Sequence, residues 1–443
     1  MTQARPVPPG TTAKVRLLAT TDLHMHLTSF NYCTGRPDPS VGLTRTASLI
    51  AAAREEAAGQ RALTLLLDNG DALQGTPLGD LARGDPDRPH PLMRAFSYLR
   101  YDAIGLGNHD FNYGLKTLDA ALHQAPCPVV CSNMRRVGAG KPAAFSHYAI
   151  LDRMVRTATG AWPIRIGVLS FLPPQTVLWD AHLLRGKVEV CDILDSARAW
   201  LPDLRRAGCD LIVALAHSGL GAATARPQME NAAIPLAALD GIDAIVAGHT
   251  HQRLPGPDHD QSAEVDSRAG TLHGKPAVMA GSAGSHLGII DLSLAAGADG
   301  RWRIGEGQSE LRPIATRAPD GSIRPLARED PGLAALLADD HDDTLESVNQ
   351  PIGHTGQPLH SYFTFFAPDR GLAAVAAAQA AALRRYLACS FACDLPLLSA
   401  VSPGKVGARA GPDWFTDVPA GPLALRHLDD LSVFPNNLQA IMV

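Results

Sequence analysis

Five short stretches place an oxygen- or nitrogen-bearing side chain directly after an apolar run. They are Asp22 and His24 after VRLLATT, Asp71 after LTLLLDNG, Asn108 and His109 after DAIGLG, His217 after LIVALA, and His249 and His251 after DAIVAG. The carboxyl ends of buried strands are where an α/β sheet gathers its chemistry. The donors are carboxylate, amide and imidazole, with no thiolate. Such a set suits two hard-to-borderline divalent ions sharing one carboxylate, and fits Mn, Zn, Co or Fe. The chemistry it implies is metal-assisted hydrolysis of a phosphoester.

Each piece carries a different weight. Asp22 and His24 are two apart, so in an extended segment both side chains reach the same side; a surface pair would look the same. Asp71 lies in DNGD, where Gly70 permits a sharp turn and Asp71 offers one oxygen to each of two ions. Asp68 is the competing carboxylate, or it holds the loop by hydrogen bonds. In GNHD (107–110) Asn108 is an unusual metal ligand, and His109 would sit beside the site as a stabiliser of phosphoryl oxygens or a proton donor to the leaving oxygen. The bland alternative is a turn with Asn in left-handed geometry and a surface histidine. GHTH (248–251) sets His249 and His251 on one side of an extended segment, and with His217 they supply the nitrogen ligands.

These groups need a scaffold. The chain has 443 residues and 46% hydrophobic content, enough for a sizeable core and too long for one ordinary domain. Apolar runs near 15–20, 63–68, 103–107, 127–131, 164–170, 211–216, 243–247, 277–280 and 287–293 predict strands. Several are continuous, as expected for strands buried on both faces. Helical patterns at 43–58, 90–100, 192–208 and 229–239 alternate with them, which indicates an α/β domain. IATRAPDGSIRPLAREDPG reads as a linker and 333–349 as one helix. A second region from about Pro351 carries a helix at 371–387 and a strand-like LPLLSAV at 395–401. The chain stops inside an apolar LQAIMV, which suggests a C-terminal domain cut short.

Net charge is −5 with no basic block, which argues against a nucleic-acid polymer as partner. The seven cysteines (Cys33, Cys127, Cys131, Cys191, Cys209, Cys389, Cys393) form no CxxC unit and read as small hydrophobes. No run of about 18 apolar residues is present, so no membrane span is expected, and the first residues lack the apolar core of a secretory leader.

The ordered motifs resemble the calcineurin-like metallophosphoesterase superfamily. The fuller strings TTDLHMHL, DNGDALQGTPLGD, GLGNHDFNYGL, LAHSGL and AGHTHQRLPG resemble its 5′-nucleotidase family. VGLTRTASLI, FLPPQTVLWD and PLLSAVSPGKVGAR are similar to the branch of bacterial 2′,3′-cyclic-nucleotide 2′-phosphodiesterases/3′-nucleotidases. The likeness runs from about residue 14 to the end.

This resemblance implies a four-layer αββα sandwich over 13–327, a linker helix over 328–350, and an α/β substrate-recognition domain, incomplete here, over 351–443. It implies that Asp22, His24, Asp71 and His251 hold one metal, and that Asp71, Asn108, His217 and His249 hold the other. His109 would be the catalytic stabiliser, with Asn108 beside it. Arg409, Phe434 and Asn436 would contact the nucleotide, although Phe434 would serve equally as a core aromatic. The implied activity is hydrolysis of 2′,3′-cyclic nucleotides to 3′-nucleotides, then of 3′-nucleotides to nucleoside and phosphate. The alternatives are a 5′-nucleotidase or nucleotide-sugar hydrolase, or a nucleotide-binding relative inactive because its C-terminal domain is incomplete. Where the 5′-nucleotidase pattern has an Asp three residues beyond the catalytic His, this chain has Asn112, and the partner that holds His109 is left open. Relatives of this type are mostly periplasmic; without a leader the chain is expected to be cytoplasmic or already processed.

Overall fold

The computed structural model describes residues 7–83, 88–138, 143–388, 395–407, 414–433, 438 and 440–441. The chain divides into two compact units, Met1–Phe30 with Pro37–Asp340, and Asn31–Arg36 with His341–Val443.

The larger unit is built on two sheets. The first has six strands in the order Trp302–Pro313, His286–Ala296, Thr12–Thr20, Leu63–Asp68, Ala103–Gly105 and Val129–Val130. The last four run parallel, and the first two are antiparallel additions at one side. The second sheet centres on four parallel strands, Gly160–Phe171, Leu211–Ala216, Ala244–Ala247 and Lys275–Ala280. Ala149–Thr157 closes one edge of it in antiparallel pairing.

The sheets face each other. Leu65 and Leu67 of the first pack with Val168, Val213, Leu215 and Val246 of the second in one buried cluster. The intervening residues turn outward and are buried again. Ile212, Ala214, Ile245 and Ala247 pack under the helices Ile193–Arg206 and Ala233–Ala237. On the other side the helix Leu43–Gly59 lies over strands Leu63–Asp68 and His286–Ala296. Burial on both faces explains why LTLLLD and LIVALA are continuous apolar runs rather than alternating ones. The layers are therefore helix, sheet, sheet, helix.

Several local expectations need correction. The 333–349 segment is two helices, Pro331–Leu336 and Ala338–Val348, the first capped by the Asp330 side chain on Leu333 N. The linker string contains a short antiparallel pair, Ala315–Arg317 with Ile323–Pro325. LPLLSAV at 395–401 forms no strand. Cys191 is exposed rather than a buried hydrophobe, whereas Cys131 is buried and its thiol is pushed up to about 12 by burial.

In the smaller unit Pro351–Thr355 pairs with Gly421–Ala424, and Leu359–His360 with Asp417–Val418. The helix Arg370–Leu387 is capped by Asp369, whose carboxylate accepts from Leu372 N. A buried Lys405–Asp430 ion pair lies under this arrangement. Among the described residues no helix is long and apolar enough to cross a membrane.

Candidate metal centre

Three adjacent parallel strands of the first sheet end at Thr20, Asp68 and Gly105, and two adjacent strands of the second end at Ala216 and Ala247. The loops that leave these ends carry Asp22 and His24, Asp71, Asn108 and His109, His217, and His249 and His251. Asn69 ties the two sets together: its side-chain NH2 donates to Thr21 Oγ1 at 3.3 Å and to the Ala216 carbonyl at 3.2 Å.

The loops are not extended. Asp22, His24, Asp71, His249 and His251 all adopt left-handed backbone, with φ of 51°, 46°, 53°, 69° and 57°. Residues other than glycine visit that region rarely, and such conformations persist where the surroundings over-determine them. The alternation argument for Asp22 with His24, and for His249 with His251, therefore fails on geometry, because tight turns rather than strand pleat aim these side chains. Asn108 is right-handed (φ −71°, ψ −34°) and starts a short 3-10 turn, His109–Phe111, so it is no left-handed turn asparagine either. Gly70 takes φ 89°, and a Cβ there would meet Gly107 N at 2.2 Å; only glycine lets these two loops touch.

The side chains converge in two adjoining groups, Asp22 with His24 and His251, and Asp71 with His217 and His249. Within each group the candidate donor atoms lie within 4.8 Å of one another. His24 Nε2 is 3.0 Å from His251 Nε2, and His251 Nε2 is 3.5 Å from Asp22 Oδ1. His217 Nε2 is 2.9 Å from Asp71 Oδ2 and 3.8 Å from Asp22 Oδ1, so Asp22 adjoins both groups.

The residues present fit a bound divalent metal. Asp71 Oδ2, Asn108 Oδ1 and His217 Nε2 are buried and make no hydrogen bond, a costly state for polar atoms unless something else pairs them. Three of the four imidazoles are held by one nitrogen and aim the other into the cluster. His24 Nδ1 donates to the Gln74 carbonyl and His217 Nδ1 to the Asn69 carbonyl, each at 2.9 Å. His249 Nε2 lies 2.9 Å from Glu230 Oε1. This is how metal-binding histidines are usually oriented. Burial, with His251 nearby, holds His24 well below the usual imidazole range, and burial with His217 nearby also lowers His249; both favour the neutral, ligating form.

Asp110 does not face His109. Its Oδ2 accepts from Asp71 N and Gly107 N, and its Oδ1 from Ala72 N and Leu73 N, all at 2.8–2.9 Å. One carboxylate thus ties the DNGD and GNHD loops together, and burial raises its pKa to about 6. Asp68 holds its own loop, accepting from Gly70 N at 3.0 Å and from Thr20 Oγ1 at 2.7 Å. The His109 ring stands edge-on to His24 with centroids 5.3 Å apart, and its backbone N–H donates to Asp71 Oδ1 at 2.6 Å.

Sequence reasoning missed the supporting roles of Asn69, Asp110, Glu230, Trp179 and Asp180. Trp179 stacks on His249 with ring centroids 5.7 Å apart. Trp179 and Asp180 end the FLPPQTVLWD string, whose likeness was visible but whose role was not; nothing in the sequence marks Glu230. Arg409, Phe434 and Asn436 lie outside the described residues.

The sequence profile of the calcineurin-like phosphoesterase family matches residues 15–253. The chain is 39% identical over 436 residues to a 2′,3′-cyclic-nucleotide 2′-phosphodiesterase/3′-nucleotidase of Yersinia enterocolitica, with 97% of this chain and 66% of that protein covered. The protein of the same name from Salmonella typhimurium is 40% identical with the same coverage. The chain thus spans 66% of the length of these relatives. Among solved structures, the calcineurin-like phosphoesterase YfkN of Bacillus subtilis superposes with a TM-score of 0.68 at 34% identity, covering 76% of this chain and 98% of that one. The fold, the ordered strand-end motifs and these matches lead to one conclusion: the chain belongs to the calcineurin-like phosphoesterase family.

Proposed function

We propose that this protein is a metal-dependent phosphoesterase that hydrolyses 2′,3′-cyclic nucleotides to 3′-nucleotides, and then 3′-nucleotides to nucleoside and phosphate. The observation that carries the reading is the pair of adjoining donor groups at the joined strand ends, with His109 beside them. The relatives that match nearly the whole chain bear the name of that two-step activity.

In this reading Asp22, His24, Asp71 and His251 hold one divalent ion, and Asp71, Asn108, His217 and His249 hold a second. Bound there, such ions supply Lewis acidity and a water acidified enough to act as nucleophile near neutral pH. The protein's own residues do the rest. Asp110 fixes the two loops so that Asp71 and Asn108 keep their spacing. Asn69 and Glu230 orient His217 and His249. His109 donates a hydrogen bond where negative charge develops on a phosphoryl oxygen, or a proton to the departing oxygen. For a cyclic substrate that oxygen is O2′, which leaves a 3′-monoester; for the monoester it is O3′, which leaves the nucleoside.

The test is product order. 2′,3′-cyclic AMP should yield 3′-AMP first and adenosine with phosphate later. Accumulation of 2′-AMP would contradict the assigned leaving oxygen. His109→Ala should keep bound metal and lose most turnover, and full activity in that variant would remove His109 from the chemistry.

A further inference from the structure

Asn112 stands three residues beyond His109, at the end of the same 3-10 turn, with its backbone N–H on the His109 carbonyl at 3.2 Å. Its side chain makes two contacts. Asn112 Oδ1 lies 2.7 Å from His109 Nδ1, and Asn112 Nδ2 donates to Asp180 Oδ2 at 2.8 Å. Asp180 is buried at the junction of the helices Thr176–Trp179 and Ala181–Leu184. Its carbonyl accepts from Leu183 N and Leu184 N, both at 2.9 Å. The helix Ala181–Leu184 packs on Gly114–Leu122, which begins two residues after Asn112. Both ends of the chain of contacts are therefore anchored.

The chemistry of the three groups fixes its direction. An ionised carboxylate only accepts, so the Asn112 atom facing Asp180 is the NH2 group. The atom left for His109 is then the carbonyl oxygen, which also only accepts, so His109 Nδ1 must carry a proton. A carboxamide without a charged neighbour turns over readily and offers imidazole either face; a carboxylate at the far side removes that freedom.

We infer that Asp180 is a positioning residue for the proposed reaction: acting through the Asn112 carboxamide, it holds the Nδ1–H of the His109 ring on Asn112 Oδ1 and so leaves Nε2–H, the donor of the proposed reaction, facing the phosphoester. This rests on the phosphoesterase reading above. It assigns a role to Asp180, and it answers what replaces the aspartate that the 5′-nucleotidase pattern has at position 112.

Two measurements test it. The first is nitrogen NMR of the purified protein labelled with 15N-histidine, with His109→Ala used to assign the ring. Wild type should show His109 protonated at Nδ1, and Asp180→Ala should show both tautomers. An Nε2-protonated neutral ring in wild type overturns the inference, whatever the activity. The second is kinetics on 2′,3′-cyclic AMP. Asp180→Ala should lower kcat about tenfold to a hundredfold, the usual scale for supporting partners, with KM and bound metal changed less than about twofold. The exchanged pair Asn112→Asp with Asp180→Asn should recover kcat to within about tenfold of wild type, because a carboxylate at 112 accepts from Nδ1–H in either orientation and an amide at 180 donates to it. Unchanged kcat in Asp180→Ala, or no recovery in the exchanged pair, overturns the role. A wild type that turns over no nucleotide defeats the functional reading instead, and the tautomer measurement still decides this one.

Discussion

His217 Nε2 and Asp71 Oδ2 stand 2.9 Å apart in full burial, at angles that make no hydrogen bond. The electrostatics of the pair favour a proton on His217. Burial lowers the His217 pKa, but the carboxylates of Asp71 and Asp22 outweigh it and push the value up to about 10.

That proton must leave when a metal arrives. The ligating imidazole is neutral, so metal binding at neutral pH should release about one proton from His217, and apparent affinity should rise with pH. Calorimetric titration of the metal-free protein in two buffers of different ionisation enthalpy measures the release. Affinity that stays flat between about pH 6 and 9 would count against His217 as a ligand.

Asp110→Asn should destabilise the protein although it is nearly isosteric. Oδ1 would still accept from Ala72 N and Leu73 N. The new NH2 would face Asp71 N and Gly107 N, donor against donor. Two buried N–H groups left unpaired cost about 1–3 kcal/mol each, so roughly 2–6 kcal/mol is expected. Denaturant unfolding of the metal-free variant reads it, and a change below about 1 kcal/mol would mean that the loops do not depend on this carboxylate.

Glu230→Ala should weaken the metal site without emptying the fold. Glu230 contacts His249 Nε2 at 2.9 Å from a surface position, and losing such a partner typically lowers metal affinity about 10- to 100-fold. Activity should return at high added metal. Loss that metal does not restore would place Glu230 elsewhere in the mechanism.

Acid stability should depend in part on Glu56. Hydrogen bonds from Arg312, and secondarily from Arg16, outweigh desolvation and hold its pKa at about 2, below the ordinary 4.5. A depressed carboxylate stabilises the fold above its unfolded pKa, and the contribution is lost as pH falls through the folded value. The window is therefore from about pH 4.5 down to about 2. Glu56→Gln should flatten the fall in unfolding midpoint across that range. The effect should be small, because the Glu56 side chain is 45% exposed and solvent screens it; an undiminished slope would remove Glu56 from the acid response.

The strands that carry the site were legible because they are buried on both faces and write themselves as apolar runs. Two edge strands were not. Ala149–Thr157 carries Asp152, Arg153 and Arg156, and Trp302–Pro313 fully buries only Trp302, so neither reads as an apolar run, as is common at sheet edges. The donor residues were legible by type and order, but their aim was not, because left-handed turns rather than strand alternation point them. Asp110 and Asp180 were illegible for a further reason. A carboxylate that serves backbone amides or a distant amide side chain reads in sequence like any other, and Asn112 meets Asp180 across 68 positions.

Two-step hydrolysis at the converged donors would set this protein apart from a 5′-nucleotidase. The most direct test is release of nucleoside and phosphate from 2′,3′-cyclic AMP, 3′-AMP and 5′-AMP by the metal-loaded protein, beside Asp71→Asn. Turnover of the first two substrates, lost in the variant, is expected. Turnover of 5′-AMP alone, or unchanged activity in Asp71→Asn, would contradict it.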